Sequence, residues 1–353
     1  MNTALDSAAG LVVPSSPPPS ATDSQQAEPA FDPVEAANAE PHEATTADGT
    51  HETISNGERL VTLAFVVVPF LGVVFAIVSL WGVGVSWYHL VTLGVMYLVT
   101  ALGISVGYHR LFSHRAFKTP AFMRAYFAIT GAMAAEGSVR RFVANHRRHH
   151  SHSDRPGDPH SPHHEEGEGA WHVVKGFWHA HMGWFLRDRA HPDEAKYAPE
   201  FTKDSGKKVD KAVTFVDSTN WLWVVAGLVI PAVVCGMIGQ SWTSAALGLL
   251  WGGIVRIFIV HHVTFSVNSV CHLWGTRPFR SGDHSRNNAI FGWLGVGEGW
   301  HNNHHAFPYS ARHGLRWWEF DAGYVLVRAL ALVGLASDVR TPAQARMEKA
   351  KNG

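Results

Sequence analysis

Charged side chains are missing from long parts of this 353-residue chain, although Lys, Arg, Asp and Glu together make up 16% of it. Residues 60–84 contain none, and in residues 85–107 only His89 could carry a charge near neutral pH. From residue 220 onwards no Lys or Arg occurs before Arg256. Because a helix needs about 20 mostly apolar residues to cross a bilayer, these runs predict membrane spans. The alternative is an apolar core hairpin of a soluble protein, which two such regions disfavour.

Cysteine is also scarce. The two cysteines, Cys235 and Cys271, do not form a disulfide framework, and they leave the redox compartment open. Residues 1–58 lack Lys and Arg and contain ten of the 29 Asp/Glu, which predicts a disordered acidic N-terminal tail. This tail has neither a basic start nor an apolar run, so it is not a signal peptide. The rest of the chain keeps 19 acidic against 29 basic residues, a formal charge of +10.

The apolar runs divide into four predicted spans, at about 60–84, 85–107, 220–239 and 241–265. Each pair is joined by a short uncharged turn, so we expect an all-α integral membrane protein whose four transmembrane helices form two hairpins. Two hairpins return the chain to the side where it began. Since Lys and Arg are concentrated on that side, both termini and the stretch between the hairpins are predicted to be cytoplasmic. Residues 120–135, which Arg124 interrupts, are predicted to be an interfacial or re-entrant helix.

Nine histidines fall into four groups beside these spans. Three groups have regular spacing, at His109/His114, His146/His149/His150 and His301/His304/His305, and His272 stands alone. Neutral imidazole is a good ligand for transition metals. Because a structural zinc is satisfied by about four ligands, nine histidines indicate two metals with open positions, and therefore catalysis.

The spacing within each group predicts how the imidazoles are presented. In HxxHH the histidines lie at i, i+3 and i+4 on one helix face, so each of these boxes could present three imidazoles to a common point. Pro308 would end the last of these helices. His109 and His114 are five residues apart, and we expect them to straddle the end of the second span, where the helix gives way to a loop. Solvent-exposed histidines, or a metal-storage or transport protein, are the alternatives.

These motifs resemble the membrane fatty-acyl desaturases, specifically the Δ9 acyl-CoA/acyl-lipid family that includes stearoyl-CoA desaturase, in its bacterial form. The resemblance covers about residues 60–325. Its specific stretches are GYHRLFSHRAF (107–117), NHRRHHSHSD (145–154), NSVCHLWG (268–275) and GEGWHNNHHAFPYSARHGLRWWEFD (297–321). The chain departs from many relatives in having Phe142 in place of Trp, and from animal members in having Asn145 in place of Asp. Its loop after residue 157 is also longer and more polar than in animal enzymes.

The resemblance implies a four-helix membrane stem with a cytosolic helical cap, within a desaturase domain at residues 59–340 that is followed by a C-terminal tail at 341–353. It also implies two iron ions (Fe²⁺), with O₂ as co-substrate. The implied ligands are His109, His114, His146, His149, His150, His272, His301, His304 and His305, with Asn268 acting through a water. No side chain is assigned as catalytic, because the di-iron centre would carry the chemistry.

Further residues are hypotheses of lower specificity. Acids near the boxes could orient the ligands or be solvated, namely Glu136, Asp154, Asp158, Asp283 and Glu298. Arginines could bind an anionic headgroup or anchor the protein at the membrane surface, namely Arg147, Arg148, Arg187 and Arg189. His261 and His262 are expected to be partnered polar groups within the bundle. Solvent-facing positions are expected for His152, His160, His163 and His164.

The resemblance therefore implies a fatty-acyl Δ9 desaturase of the bacterial cytoplasmic membrane, and the distribution of Lys and Arg predicts an active site on the cytoplasmic side. Its substrate would be an acyl chain carried by CoA, a carrier protein or a lipid. The chain has no CxxC pair and no HPGG haem motif, so a separate ferredoxin, rubredoxin or cytochrome b5-type donor with its reductase must supply electrons. Membrane lipids are the other expected partner, and nucleic acid is not one. A histidine-box hydroxylase or ketolase and a non-catalytic metal-binding protein are the alternatives.

Overall fold

The computed structural model describes residues 56–82, 84–163, 167, 169–186, 193–202, 206 and 208–351. Over these residues the regular structure is helical, and β-structure is limited to isolated bridges. The predicted mostly helical fold is confirmed. The acidic tail up to residue 55, together with His164, Arg187 and Arg189, lies outside the described residues.

The helices follow one another along the chain, and the longest connections are at 153–169, 274–288 and 307–321. The α-helices are α1 (Asn56–Gly82), α2 (Trp87–Leu102), α3 (Ala121–Ala132), α4 (Val139–His152), α5 (Ala170–Trp178), α6 (Trp184–Leu186), α7 (Glu194–Tyr197), α8 (Lys211–Ser218), α9 (Asn220–Gly239), α10 (Trp242–Gly248), α11 (Arg256–Leu273), α12 (Ala289–Leu294), α13 (His301–Ala306), α14 (Ala322–Leu332) and α15 (Gln344–Ala350). Three π-helices continue α-helices, π1 (Gly103–Ser113), π2 (His179–Gly183) and π3 (Leu249–Val255), and Pro199–Phe201 is a 3₁₀-turn.

Four continuous helices are long and apolar enough to cross a membrane, at Leu60–Leu80, Trp87–Ser113, Asn220–Gly239 and Trp242–Leu273. The four predicted spans are thus confirmed as candidate membrane helices. The second and fourth continue beyond their predicted ends at 107 and 265, and these extensions carry His109 and His272. Hydropathy marks the part of a helix that would meet lipid, whereas the backbone continues as long as its carbonyls find partners.

The fourth candidate span lies at the centre of the bundle. Its segments π3 and α11 contact α1 and α2, and π3 also contacts α9. In its most apolar stretch 50% of the residues are buried, against 17% for Leu60–Leu80. The first helix therefore presents an apolar surface such as lipid would cover.

The second span packs unusually closely against α3. A Cβ on Gly103 would lie 2.4 Å from the backbone nitrogen of Gly131, and a Cβ on Gly131 would lie 2.2 Å from the Tyr108 ring. Only glycine allows this approach. Since α3 has just 12 residues, it is too short to cross a bilayer, in agreement with the prediction that it is not a fifth span.

Helix α4 is held at both its start and its middle by polar contacts. The Ser138 side chain accepts a hydrogen bond from the backbone N–H of Arg141, which caps the helix. Arg147 is buried, donates to the backbone oxygens of Phe112 and Ser113, and forms a salt bridge of 2.7 Å with Glu200. The hypothesis that Arg147 and Arg148 face a headgroup is wrong. Arg148 is also buried and donates to the carbonyl of Gly157.

Candidate metal centre

The nine predicted histidines converge on two neighbouring groups. The five-histidine cluster contains His109, His114, His146, His150 and His304. The four-histidine cluster contains His149, His272, His301 and His305, all of them buried. Within each cluster one ring nitrogen per residue lies within 4.8 Å of the others. Asn268, one helical turn before His272 on α11, lines the cavity beside them.

Each HxxHH box divides its imidazoles between the two clusters, so the expectation of one common point per box is wrong. On α4, His146 and His150 enter the five-histidine cluster and His149 enters the other. On α13 the assignment is reversed, because His301 and His305 enter the four-histidine cluster and His304 enters the other. At 3.6 residues per turn, positions i and i+4 differ by about 40° around the axis, whereas i+3 and i+4 differ by about 100°.

The first box reaches its cluster through the π-helix. In a π-helix the N–H of residue i+5 bonds to the carbonyl of residue i, and the His114 N–H donates to the His109 carbonyl at 3.1 Å. The wider turn brings residues five apart to nearly the same face. His114 is the residue at which this helix ends, so the two histidines do lie at the end of the span as predicted.

The Nε2 atoms point toward one another at short range. In the five-histidine cluster they are 3.0 Å apart for His109 and His304, and 2.7 Å for His114 and His146. In the four-histidine cluster His272 and His301 are 3.0 Å apart at the same atoms. A neutral imidazole has one donor and one acceptor nitrogen. Where Nδ1 carries the proton, the Nε2 lone pairs face each other, an arrangement that a shared cation relieves.

Burial favours the neutral form of five of the clustered imidazoles. It lowers the pKa of His114, His146, His150 and His304 well below the usual value, and neighbouring histidines lower it further. The pKa of His301 is likewise lowered well below its usual value, first by burial. Since metals bind the neutral imidazole, the donor set fits transition-metal ions.

One carboxylate supports the five-histidine cluster. Glu298 accepts from Nδ1 of His109, from the Ser105 hydroxyl at 2.5 Å and from Arg110 at 3.2 Å. Arg110 is fully buried and also pairs with Asp321 at 2.8 Å. Burial alone would raise the pKa of Glu298, but the nearby His109, His313 and Arg110 hold it well below its usual value. The negative charge beside this cluster is thus balanced by a buried guanidinium.

Three aspartates support the four-histidine cluster. The Nδ1 atoms lie 2.9 Å from Asp158 for His149, 2.8 Å from Asp154 for His272, and 2.5 Å from Asp283 for His305. Such contacts fix the tautomer and the ring orientation and raise ligand basicity. Four of the five acids proposed from the sequence therefore contact a clustered histidine. The fifth, Glu136, instead lines the cavity.

Two buried histidines were not foreseen as part of the site. His313 is fully buried, accepts from Arg110 at 3.1 Å, and lies with its ring 4.6 Å from that of His304. Its only sequence signal is its place in a motif of the resemblance. His160 was expected to face solvent, which is wrong. It is 6% exposed, and its ring stacks on His149 at 4.3 Å.

The other histidines behave largely as predicted. His261 bonds through Nε2 to the Ala134 carbonyl at 2.9 Å, and His262 lies 3.0 Å from His181 at their ring nitrogens. Neither belongs to a cluster, so both are partnered groups within the bundle. His163 is exposed as expected, and His152 is half-buried.

A cavity of about 310 Å³ lies beside both clusters, at the lower end of the usual range for ligand pockets. It reaches His109, His146, His149 and His301. Its apolar walls come from all four candidate spans, and include Phe65, Tyr97, Ile104, Val224, Val260 and Phe265. Phe142 and Asn145, where the chain departs from its relatives, also line it. The cavity can hold an apolar chain along its walls, with part of that chain beside the metal-binding histidines.

The same cavity contains a carboxyl group. Burial raises the pKa of Glu136 to about 8, with a hydrogen bond from Thr264 acting in the opposite direction. Its Oε1 atom has no hydrogen-bond partner among the described residues. Glu136 is therefore mostly protonated at neutral pH and can donate a hydrogen bond into the cavity.

Comparison with known proteins connects this geometry with a family. The model of the fatty acid desaturase family matches residues 85–336, which include every histidine of both clusters. The chain belongs to the fatty acid desaturase family. The resemblance based on the histidine motifs is thus confirmed, and the desaturase relatives support an oxidoreductase that acts on fatty acids.

Relatives of this desaturase-family protein differ in what their names say of the substrate. The hex-5-enoyl-[acyl-carrier protein] acetylenase of Moorena producens (strain JHB) is 45% identical over 293 residues, 82% of this chain and 88% of the relative. The sn-1 stearoyl-lipid 9-desaturase of Synechocystis sp. is 38% identical over 264 residues, covering 74% and 75%. The acyl-CoA C20 Delta5-desaturase of Anemone leveillei is 33% identical over 265 residues, covering 75% and 78%. Family membership therefore decides neither the acyl carrier nor the position of the new bond.

Proposed function

We propose that the protein is an O₂-dependent, integral-membrane fatty-acyl desaturase that introduces a cis double bond at Δ9 of a saturated acyl chain. The observation that carries this proposal is the convergence of nine imidazoles on two clusters beside a largely apolar cavity. The position Δ9 rests on the motif resemblance and on the stearoyl-lipid 9-desaturase among the relatives.

The cofactor we propose is a pair of iron ions. The five-histidine cluster would hold one ion, and the four-histidine cluster, with Asn268 through a water, would hold the other. When bound, iron supplies the activation of O₂ that allows hydrogen to be removed from an unactivated methylene, which no acid or base side chain achieves. Imidazole is a suitable ligand for iron, and the three aspartates and Glu298 orient the rings that they contact.

The remaining residues hold and position the substrate. The apolar walls exclude water and keep one pair of methylene groups beside the clusters, so that the reacting carbons are placed before reaction. Glu136 offers a hydrogen bond to the polar end of the acyl group. In the net reaction, two hydrogens leave adjacent carbons, and O₂ takes them up with two electrons and two protons to give two waters.

The membrane arrangement belongs to the same proposal. We place the four candidate spans in the bacterial cytoplasmic membrane as two hairpins, with the helices between and after them forming a cytosolic cap over the clusters. The desaturase domain would comprise residues 59–340, between the N-terminal tail and a short C-terminal tail. A separate ferredoxin, rubredoxin or cytochrome b5-type protein with its reductase would supply electrons. The acyl group would be carried by CoA, a carrier protein or a lipid.

A second candidate function is acetylenase activity, in which an existing double bond becomes a triple bond. The 45% identical relative named as a hex-5-enoyl-[acyl-carrier protein] acetylenase favours it. The same clusters and cavity would serve, since both reactions remove two hydrogens from adjacent carbons. An enoyl substrate in place of a saturated one distinguishes the two.

The test is gas chromatography–mass spectrometry of fatty acids from a host that lacks its own desaturase. The host would express the wild type, His304→Ala or His152→Ala beside a compatible reductase and donor. His152 follows the second box, and among the described residues its side chain bonds only to the backbone oxygen of Arg148, so His152→Ala is a matched control. Feeding saturated and enoyl chains in parallel separates desaturation from acetylenation.

We expect a new cis-monounsaturated acid from the wild type and His152→Ala, and none from His304→Ala. An alkyne from the enoyl substrate alone would replace the desaturase proposal by the acetylenase. A hydroxy acid would indicate a hydroxylase. Well-expressed protein that yields no product and binds no iron would refute the proposal.

A further inference from the structure

In two polar loops next to the four-histidine cluster, the acidic side chains point inward and the basic side chains lie toward the surface. Residues 153–163 follow α4, and residues 274–288 follow α11. Their three carboxylates, Asp154, Asp158 and Asp283, contact clustered histidines, and their side chains are at most 5% exposed. Arg155 and Arg280 are exposed, and Arg277 and Arg286 are half-buried. The described part of this surface is therefore basic, because its acids face inward.

The loops meet at Asp154. One of its oxygens accepts from the backbone N–H of His284 at 2.8 Å and from Nδ1 of His272 at 2.8 Å. His284 is exposed, and its ring lies 4.4 Å from that of the exposed His163. Nε2 of His163 in turn donates to the His272 carbonyl at 3.1 Å. Two surface residues are thus each connected to His272 through no more than two hydrogen bonds.

The end of the chain extends this basic surface. The Arg280 N–H donates to the Ala350 carbonyl at 2.8 Å, which places α15 beside the second loop. Here Lys349 and Lys351 are exposed, and the one exposed acid in the described part of α15, Glu348, is paired with Lys351 at 2.6 Å. Near His114 of the five-histidine cluster, by contrast, Arg115 is paired with Glu200 at 2.9 Å, a carboxylate that it shares with the buried Arg147.

We propose that these two loops, with the end of α15, are the docking surface for a soluble one-electron carrier protein with an acidic face, and that electrons enter at the four-histidine cluster through Asp154 and His272. The carrier is oxidised by one electron in each encounter, and two encounters complete one turnover. Complementary charge steers such encounters and gives them their salt dependence. This inference rests on the proposed function, because a desaturase needs an external electron donor.

The test uses the full-length, iron-loaded protein and a plant-type [2Fe–2S] ferredoxin as the probe. Arg155→Glu/Arg280→Glu reverses two exposed charges whose side chains form no bond with the described residues. Lys211→Glu reverses one exposed charge at the start of α8 and is the control. Binding of oxidised ferredoxin is measured by calorimetry, which does not depend on turnover. Product formation is then measured with reduced ferredoxin and, separately, with dithionite as the reductant.

We expect the double variant to bind ferredoxin at least tenfold more weakly and to need correspondingly more ferredoxin for half-maximal rate. Its dithionite-driven single turnover and its iron content should equal those of the wild type. Added salt should weaken the binding of ferredoxin to the wild type and reduce the difference in affinity between the wild type and the double variant. Lys211→Glu should behave as the wild type.

Unchanged ferredoxin binding in Arg155→Glu/Arg280→Glu would overturn the docking surface, and so would an equal loss in Lys211→Glu. A dithionite-driven loss as large as the ferredoxin-driven loss would show that the arginines act on the site itself. A wild type that binds ferredoxin through this surface but forms no product with either reductant would instead contradict the proposed function.

Discussion

Helices α4 and α13 contribute imidazoles to both histidine clusters, but the two clusters are supported in different ways. The five-histidine cluster has one supporting carboxylate, Glu298, whose charge is shared with the buried Arg110. The four-histidine cluster has three aspartates, each contacting a different imidazole, and polar loops supply them. Since supporting carboxylates raise ligand basicity, the four-histidine cluster should bind a cation more tightly. On this argument, the number of ligands alone does not determine which of the two clusters binds a cation more tightly.

The largest expected effect comes from removing one imidazole from each cluster. His150→Ala and His305→Ala should each lower activity by more than about 100-fold, because each leaves its cluster with fewer ligands. Iron per chain, measured by plasma mass spectrometry, should fall from about two toward one in both. A variant that keeps two irons and full activity would remove its histidine from the proposed ligand set.

Removing one supporting carboxylate from each cluster tests whether the two clusters differ in metal affinity and in their contribution to stability. Asp283→Asn and Glu298→Gln should each reduce metal affinity or activity by about 10–100-fold. Glu298→Gln should also destabilise the fold, because it removes a partner from the buried Arg110. Competition with a graded chelator measures affinity, and thermal unfolding measures stability. If the two variants lose stability equally, the buried guanidinium does not distinguish the clusters.

A smaller effect is expected from the close packing that positions His109. Gly103→Ala would place a methyl group 2.4 Å from the Gly131 nitrogen, and overpacking of this kind costs about 1–3 kcal/mol. Gly94→Ala, in the same candidate span Trp87–Ser113, meets no atom within 4 Å and should be neutral or slightly stabilising. Unfolding in detergent compares the two. Equal stability would mean that the second span can move away from α3.

A pH dependence of stability is expected from a residue that lies outside both clusters. The pKa of Glu136 is about 8 in the folded protein, against 4.5 for an unperturbed glutamate. Above pH 4.5 the unfolded chain releases this proton while the folded protein keeps it, so stability falls as the pH rises toward 8. Glu136→Gln removes this loss. Its Tm should exceed that of the wild type by an amount that grows from pH 5 to pH 8.

Much of the fold and of the site could be predicted from the sequence. Uncharged runs of membrane-spanning length located all four candidate spans. Histidine spacing identified eight of the nine clustered residues, and the resemblance supplied the lone His272. The ends of the second and fourth spans were placed too early, because hydropathy falls where a helix enters protein or water. The π-helix at 103–113 leaves no hydropathy signal, although the spacing of five between His109 and His114 is consistent with it.

Other features required tertiary contacts. Arg147 and Arg148 have the composition of a surface patch, yet Glu200 and backbone carbonyls from distant segments bury them. His160 lies in a polar loop, and only the packing of that loop against His149 buries it. His313 has no box spacing. The division of each HxxHH box between two clusters follows from helix geometry, but only once two facing helices are known.

That division has a consequence for how the centre tolerates change. Helices α4 and α13 each contribute to both clusters, so one turn of helix sets the separation between the clusters. Insertions in the surrounding loops would change which groups contact the clusters without changing the distance between the clusters. A one-residue shift within either helix would disrupt both clusters at once. Apart from the aspartates that contact the histidines, the loops can therefore diverge in sequence and length, while helices α4 and α13 must keep their register.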